Sequence, residues 1–300
     1  MIKTITLDAA IEKRIYGKGD GVQYEMDHTV VNSGGCGIVI SRILKMLGVE
    51  SESLILTSHG IADFIKTTML DKKIPSWIVE HKEEANEYFY FFEEGNGCYI
   101  KKQMVPLQDH QLQLFATCME EHIQKNDIVV LSYQEQDVSE KAMSQLFDGI
   151  KENTKVLYLH PKYWPLLKKQ PAAILLIDKE QCLSWLKKEQ MPLSEMMEKI
   201  KEEIVLFSTI VICALACNDF LFFVEDKQYR VIGGGNKNGH IHVEAILSGI
   251  AKCFVQDGSL KNLGEECLSM SIGSAIHQSF DSLEPKSLAI LKNNVIMYEI

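Results

Sequence analysis

Long apolar runs, an excess of basic charge and closely paired cysteines are all missing from this chain of 300 residues. The longest apolar stretch, Ile204 to Cys217, spans 14 residues and contains Ser208 and Thr209, well short of the ~20 needed to cross a bilayer. The opening residues, Met1 to Asp8, hold no apolar core of signal-peptide length, so the expectation is a cytoplasmic protein. Thirty-one basic against 41 acidic side chains leave a formal charge of −10, which repels phosphate backbones and anionic lipid. Lys168-Lys169 and Lys187-Lys188 sit beside apolar residues and read as solvated faces, so neither nucleic acid nor membrane is an expected partner. The eight cysteines never form C-x-x-C and are mostly flanked by apolar residues, the pattern of reduced core thiols. Cys213 and Cys217 are four apart in a strand-like run without a histidine cluster nearby, so no metal site is expected there.

With 46% hydrophobic and 24% charged residues and only seven prolines, the chain falls in the globular range, and its length suits one large α/β domain over 1–300. Periodicity separates short buried runs from helical stretches. Strands are expected at 52–56, 128–132, 155–159, 173–177 and 209–216. Helices are expected at 37–47, 61–70, 111–123, 139–150, about 179–187 and 193–204. This alternation predicts a doubly wound, mainly parallel sheet flanked by helices. Two segments break the rhythm as hairpins. One runs from Glu87 through Gly95-Asn96-Gly97 to Ile100, and the other joins Phe220–Glu225 to Tyr229–Ile232. From Gly239 to about His277 the pattern gives two amphipathic helices separated by Gly258-Ser259.

Three blocks carry a resemblance. They are Thr4-Ile5-Thr6-Leu7-Asp8-Ala9-Ala10-Ile11-Glu12, then Asn32-Ser33-Gly34-Gly35-Cys36-Gly37 followed by Arg42, Leu44, Leu47 and Gly48, and last Asn238-Gly239-His240 with Ala245 and Gly249. In this order they resemble the PfkB/ribokinase family of carbohydrate kinases, nearest the branch acting on fructose 1-phosphate and tagatose 6-phosphate. That family's blocks read T-x-T-L-N-P-A-x-D, A-G-G-K-G-x-N-x-A-R-x-L-x-x-L-G and G-A-G-D opening a helix. The resemblance implies a ribokinase-like fold with a small β lid from about 8–20 and 84–104, and a homodimer formed through that lid. It also implies ATP and Mg2+ as cofactors and a sugar or sugar phosphate as ligand. The substrate would be bound by Asp8, Glu12, Gly34, Gly35 and Asn86, and the nucleotide side would be served by Asn218 and Asp178. Catalysis would fall to Asn238, Gly239 and His240, with His240 in the place of the family's aspartate base.

The departures are specific. Lys237 and Asn238 replace small residues of the loop whose amides hold the transferred group. Cys36 and Val39 replace a lysine and an asparagine of the sugar site, and neither can grip a phosphate. Glu84 falls where the family's lid arginine stands. Asp178-Lys179-Glu180-Gln181 replaces N-x-x-E, so Gln181 lacks the carboxylate that a hard cation prefers. Cys213 to Asn218 replaces a glycine-rich nucleotide segment. These losses imply a protein impaired or inactive in ATP-dependent phosphoryl transfer that acts by binding or regulation. The alternative is an active, divergent carbohydrate kinase that uses His240 as base. Gly34, Gly35 and Gly37 themselves fit two readings equally, close approach of backbone to an anionic ligand or tight packing of loop on helix.

Overall fold

The computed structural model describes residues 1–19, 24–93, 97–103, 105–234, 239–256, 258–277 and 283–300. The first elements mix single strand–helix steps with runs of strands. They are β1 (Ile2–Thr6), β2 (Ala10–Gly19), β3 (Tyr24–Gly34), α1 (Cys36–Met46), β4 (Ser51–Ser58), α2 (His59–Asp71), β5 (Ser76–His81), β6 (Asn86–Glu93) and β7 (Gly97–Gln103). The middle of the chain gives α3 (Asp109–Met119), β8 (Ile128–Tyr133), α4 (Glu140–Gly149), β9 (Thr154–Leu159), β10 (Ala172–Asp178), α5 (Lys179–Trp185), α6 (Leu193–Lys199) and β11 (Ser208–Ala216). The remainder is β12 (Asp219–Val224), β13 (Lys227–Ile232), α7 (Val243–Gln256), α8 (Leu260–His277), α9 (Pro285–Lys292) and β14 (Ile296–Glu299).

Ten strands form the larger sheet in the order β14-β13-β12-β11-β10-β9-β8-β1-β4-β5. From β11 to β5 every neighbouring pair is parallel, while β12, β13 and β14 add an antiparallel edge. Because successive strand residues face opposite sides, each parallel strand feeds two cores. Leu157 and Leu175 join one core with Phe115 of α3, Leu146 of α4 and Trp164. Val156, Ile174 and Leu176 join the other with Ile40 of α1, Ile250 of α7 and Leu268 of α8. Helices thus cover both faces, and the doubly wound expectation holds. Trp164 is fully buried on an irregular 3-10 turn over Pro161–Lys168, where its indole N–H donates to the Leu159 carbonyl at 3.1 Å. No periodicity announced that turn.

The apolar run from Ile204 divides where expected. A π-helical turn over Ile200–Ile204 and a short 3-10 turn over Val205–Phe207 carry α6 into β11, which starts at Ser208. The helix expected from Gly239 begins later, at Val243. Both predicted hairpins form, as β6–β7 and β12–β13.

The second sheet has the order β3-β2-β6-β7 and includes a strand that the sequence did not disclose, β3. β2 was also hard to read, because Glu12-Lys13-Arg14 puts three charges in a row. In the structure Glu12 and Arg14, two apart on one face, are both buried, and the Arg14 Nε donates to Glu12 Oε1 at 2.5 Å. Lys13, on the other face, reaches Glu87 on β6 at 2.8 Å. Among the described residues, no helix is long and apolar enough to cross a membrane and no disulfide forms.

Candidate active site

A cavity of about 660 Å³ opens at the carboxyl ends of β8, β9, β10 and β11, the position where open α/β sheets take their ligands. Its walls come from five places. Asp8 follows β1, Cys36 opens α1, and Tyr88 reaches in from β6 of the second sheet. The strand ends give Ser132, Tyr158, Asp178, Ala214 and Leu215, and the approach to α7 gives Gly239, His240, His242 and Glu244.

Asp8 organises one end. Its Oδ1 accepts the backbone N–H of Cys36 at 3.0 Å, and its Oδ2 accepts the Cys36 thiol at 3.2 Å and the Tyr88 hydroxyl at 3.1 Å. A helix start carries unsatisfied N–H groups and partial positive charge, and in α1 a carboxylate of the chain itself takes that place. The loop lies hard against β1. Gly35 adopts φ +110, and a Cβ at Gly37 would fall 2.4 Å from Thr6 Oγ1. Tight packing therefore accounts for Gly35 and Gly37. Burial, then the Asp8 and Glu244 carboxylates, push the Cys36 thiol well above the ordinary thiol range. Burial and then Asp178 do the same to the Tyr158 hydroxyl.

Asp178 lines the cavity, but both of its oxygens are engaged. One accepts the N–H of Gln181 at 2.7 Å in a capping box that starts α5, and the other accepts the Tyr158 hydroxyl. The Gln181 amide donates in turn to Gln134 and to the Leu159 carbonyl. The stretch that resembles N-x-x-E is thus spent on holding a helix start. Among the described residues, no group of three or more His, Cys, Asp or Glu side chains could hold a metal ion. A magnesium ion bound together with nucleotide phosphates needs only one or two carboxylates and keeps water in its other positions, and with Asp178 engaged, Glu180 is the carboxylate on that wall.

Other residues named from the sequence stand apart from the cavity. Glu12 is bound to Arg14 inside the second sheet, and Gly34 lies against the Glu12 side chain. Asn86 is a tie between segments, its Oδ1 accepting the Val105 N–H at 2.7 Å and its Nδ2 donating to the Ala9 carbonyl at 3.4 Å. Asn86 and Glu84 line a separate void of about 20 Å³. Asn218 is buried, its Nδ2 donating to the Gly233 carbonyl at 3.2 Å, and Cys213 and Cys217 are buried with it. Of the segment Cys213–Asn218, Ala214 and Leu215 are the residues that meet the cavity. Asn238 and Lys237 lie outside the described residues.

No sequence-family profile matches the chain, and no curated protein matches it significantly. Solved structures do. Phosphofructokinase-2 from Escherichia coli in complex with potassium superposes with a TM-score of 0.85 at 14% identity, over 97% of this chain and 98% of that one. The fold is that of the PfkB sugar kinases. The same Escherichia coli enzyme with fructose-6-phosphate gives 0.81 at 13% identity over the same shares. A Thermotoga maritima protein described as a possible 1-phosphofructokinase gives 0.84 at 14%, over 100% of this chain and 99% of that one.

Within this PfkB fold one acidic residue escaped the reading of the sequence. The family's G-A-G-D opens a helix, and the helix here opens at Val243, three residues after His240. The acid in its first turn is Glu244, which lines the cavity. Ala245 and Gly249, matched to the same block, lie inside α7. His240 lines the cavity too, edge-on to His242 with ring centroids 5.0 Å apart. Burial, and then His240, lower the His242 pKa to about 4, so this ring is neutral near pH 7. The signal that marks Glu244 is that it is the acid in the first turn of α7.

Proposed function

We propose that this chain is a divergent carbohydrate kinase of the PfkB type, transferring the γ-phosphoryl group of ATP to a hydroxyl of a sugar-like acceptor, with Glu244 as the general base. The observation that carries this reading is the place of Glu244, in the first turn of α7 on the cavity wall that also holds Asp8, Cys36 and Tyr158. A carboxylate there accepts the acceptor's proton as its oxygen attacks. The first-turn N–H groups of the same helix would serve as donors for the negative charge that develops on the moving group. ATP supplies that group. The chain's own work is to orient the acceptor against Asp8 and Tyr88, and to shield it beneath the second sheet, which acts as the lid. Gly239 and His240 belong to the approach loop in this reading, and His240 shapes the cavity without taking the proton. In the lid dimer that the resemblance implies, the exposed Val30 and Val31 of β3 supply apolar area.

The test is an ATP-consumption screen with magnesium against sugars, sugar alcohols, nucleosides and sugar phosphates. Turnover on an acceptor should fall by about 10²–10⁴ in Glu244→Gln, the usual worth of a positioned base, and should persist in His240→Ala. Loss in His240→Ala with retention in Glu244→Gln would move the base to His240.

A second reading is supported by the engaged oxygens of Asp178 and by Cys36 in the lysine position. The protein would then bind its ligand as a regulatory or structural component, with phosphoryl transfer lost. Calorimetric titration showing sugar binding, together with no magnesium-dependent ATP binding and no turnover, would favour it over the first.

A further inference from the structure

In a site built to take a phosphorylated acceptor, a helix start and a cationic side chain would be left open to the anion. Here the start of α1 is filled from within. The Asp8 carboxylate receives the Cys36 N–H at 3.0 Å, the Cys36 thiol at 3.2 Å and the Tyr88 hydroxyl at 3.1 Å. These donors, from α1 and β6, are of the kind that receive an anion at a helix start. The charge around them has one sign. Among the described residues, Asp8, Glu135, Asp178, Glu180 and Glu244 line the cavity together with one lysine, Lys179. The nearby arginines of the glycine block and lid are committed elsewhere, Arg14 to Glu12 and Arg42 to the Ser33 carbonyl.

We infer that Asp8 selects the acceptor: it is a built-in anion that occupies the phosphate-accepting start of α1, so the cavity takes uncharged polyhydroxy compounds and rejects phosphorylated ones. This inference rests on reading the cavity as an acceptor site, and it assigns that site's ligand class. A carboxylate whose oxygens already accept three donors still presents lone pairs to hydroxyl donors of a polyol. It meets a phosphate as a like charge across a poorly hydrated space, which costs several kcal/mol in such settings.

The experiment reads Cys36 directly and needs no turnover. Iodoacetamide labelling of Cys36, resolved by peptide mass spectrometry, is followed at pH 8 in the wild type, Asp8→Asn and Asp8→Ala, with and without inorganic phosphate at constant ionic strength. Tyr158, Glu244 and Ser132 face the same thiol and are left intact. Removing the Asp8 charge should speed labelling, because the thiol loses a carboxylate that, after burial, holds its pKa up. In Asp8→Ala, where a carboxylate-sized space opens, phosphate should slow labelling at least fivefold, while the wild type shows no phosphate effect. Phosphate protection of Cys36 in the wild type would overturn the inference. So would an Asp8→Ala protein, folded by its thermal melt, that phosphate leaves unprotected. If Asp8→Ala alone unfolds, Asp8→Asn carries the test, and an unchanged labelling rate there overturns the inference as well. Absence of ATP turnover would sink the kinase reading and leave this result standing.

Discussion

Replacing Gly37 by alanine tests whether the glycine block serves packing or ligand approach. The new Cβ would stand 2.4 Å from Thr6 Oγ1, 2.5 Å from the Ile5 carbonyl oxygen and 2.6 Å from its carbon. These distances are roughly 1 Å short of an ordinary separation of about 3.5 Å. Two of the three obstacles are backbone of β1, a strand paired on both sides by β4 and β8, so they cannot rotate away. α1 has to withdraw instead, against its own fully buried residues Ile38, Ile40 and Leu44. Overpacking of this kind costs up to about 3 kcal/mol, offset by about 1 kcal/mol from alanine's better helix propensity. The net loss of about 2 kcal/mol should lower Tm by roughly 3 °C in a domain of this size. Circular dichroism melts would measure it. Gly60→Ala is the control, because the nearest atom to its Cβ is Ser58 Oγ at 3.7 Å and its φ is ordinary. That variant should keep or slightly raise Tm. A Gly37→Ala protein melting at or above the wild type would refute the packing account. Unchanged Tm with lost ligand binding would return the block to ligand approach.

Arg14→Ala should destabilise by about 3–5 kcal/mol, because it leaves the buried Glu12 carboxylate without its guanidinium. Urea unfolding measures the loss, and Glu12→Gln with Arg14→Met together should recover part of it. Tyr158→Phe removes the donor to Asp178 and should cost about 1–3 kcal/mol if that oxygen is left dry, checked by the same unfolding assay. His242 titrates far below an ordinary histidine, so the unfolded chain binds its proton first as the pH falls. Its contribution to stability is intact above about pH 6.5 and is lost progressively down to the folded pKa of about 4. A His242→Phe protein should show a shallower decline of Tm over that window, and NMR titration should find the ring neutral at pH 6.

The parallel sheet was legible because its strands are short, β-branched and buried on both faces, and the helices between them keep their period. Ser208 marked the true division of the apolar run, since a polar residue there ends the 3-10 turn and starts β11. β2 was obscure because Lys13 is satisfied by Glu87 on the neighbouring β6 and Glu12 by Arg14 two residues on, pairings that hydrophobic periodicity does not show. Asp8 and Cys36, placed by the opening block and the glycine block, meet on the cavity wall. Near α7, Gly239 and His240 line the cavity as the third block suggests, and Glu244, which no motif marked, lines it with them. Asp178 kept its position at the end of β10 but lost its freedom, because Gln181, from the same stretch, and Tyr158, from β9, converge on it.

The chain leaves the larger sheet at Thr6 and enters the smaller one at Ala10, so only Leu7, Asp8 and Ala9 join them at that crossing. Asp8 is the middle residue of this joint, and Tyr88, from the smaller sheet, grips it through both its carboxylate and its carbonyl. Charge and posture are therefore geared together at one residue. A ligand that draws on the Asp8 carboxylate also pulls on the axle about which the two sheets are set, and a change of angle between the sheets alters what the start of α1 can hold.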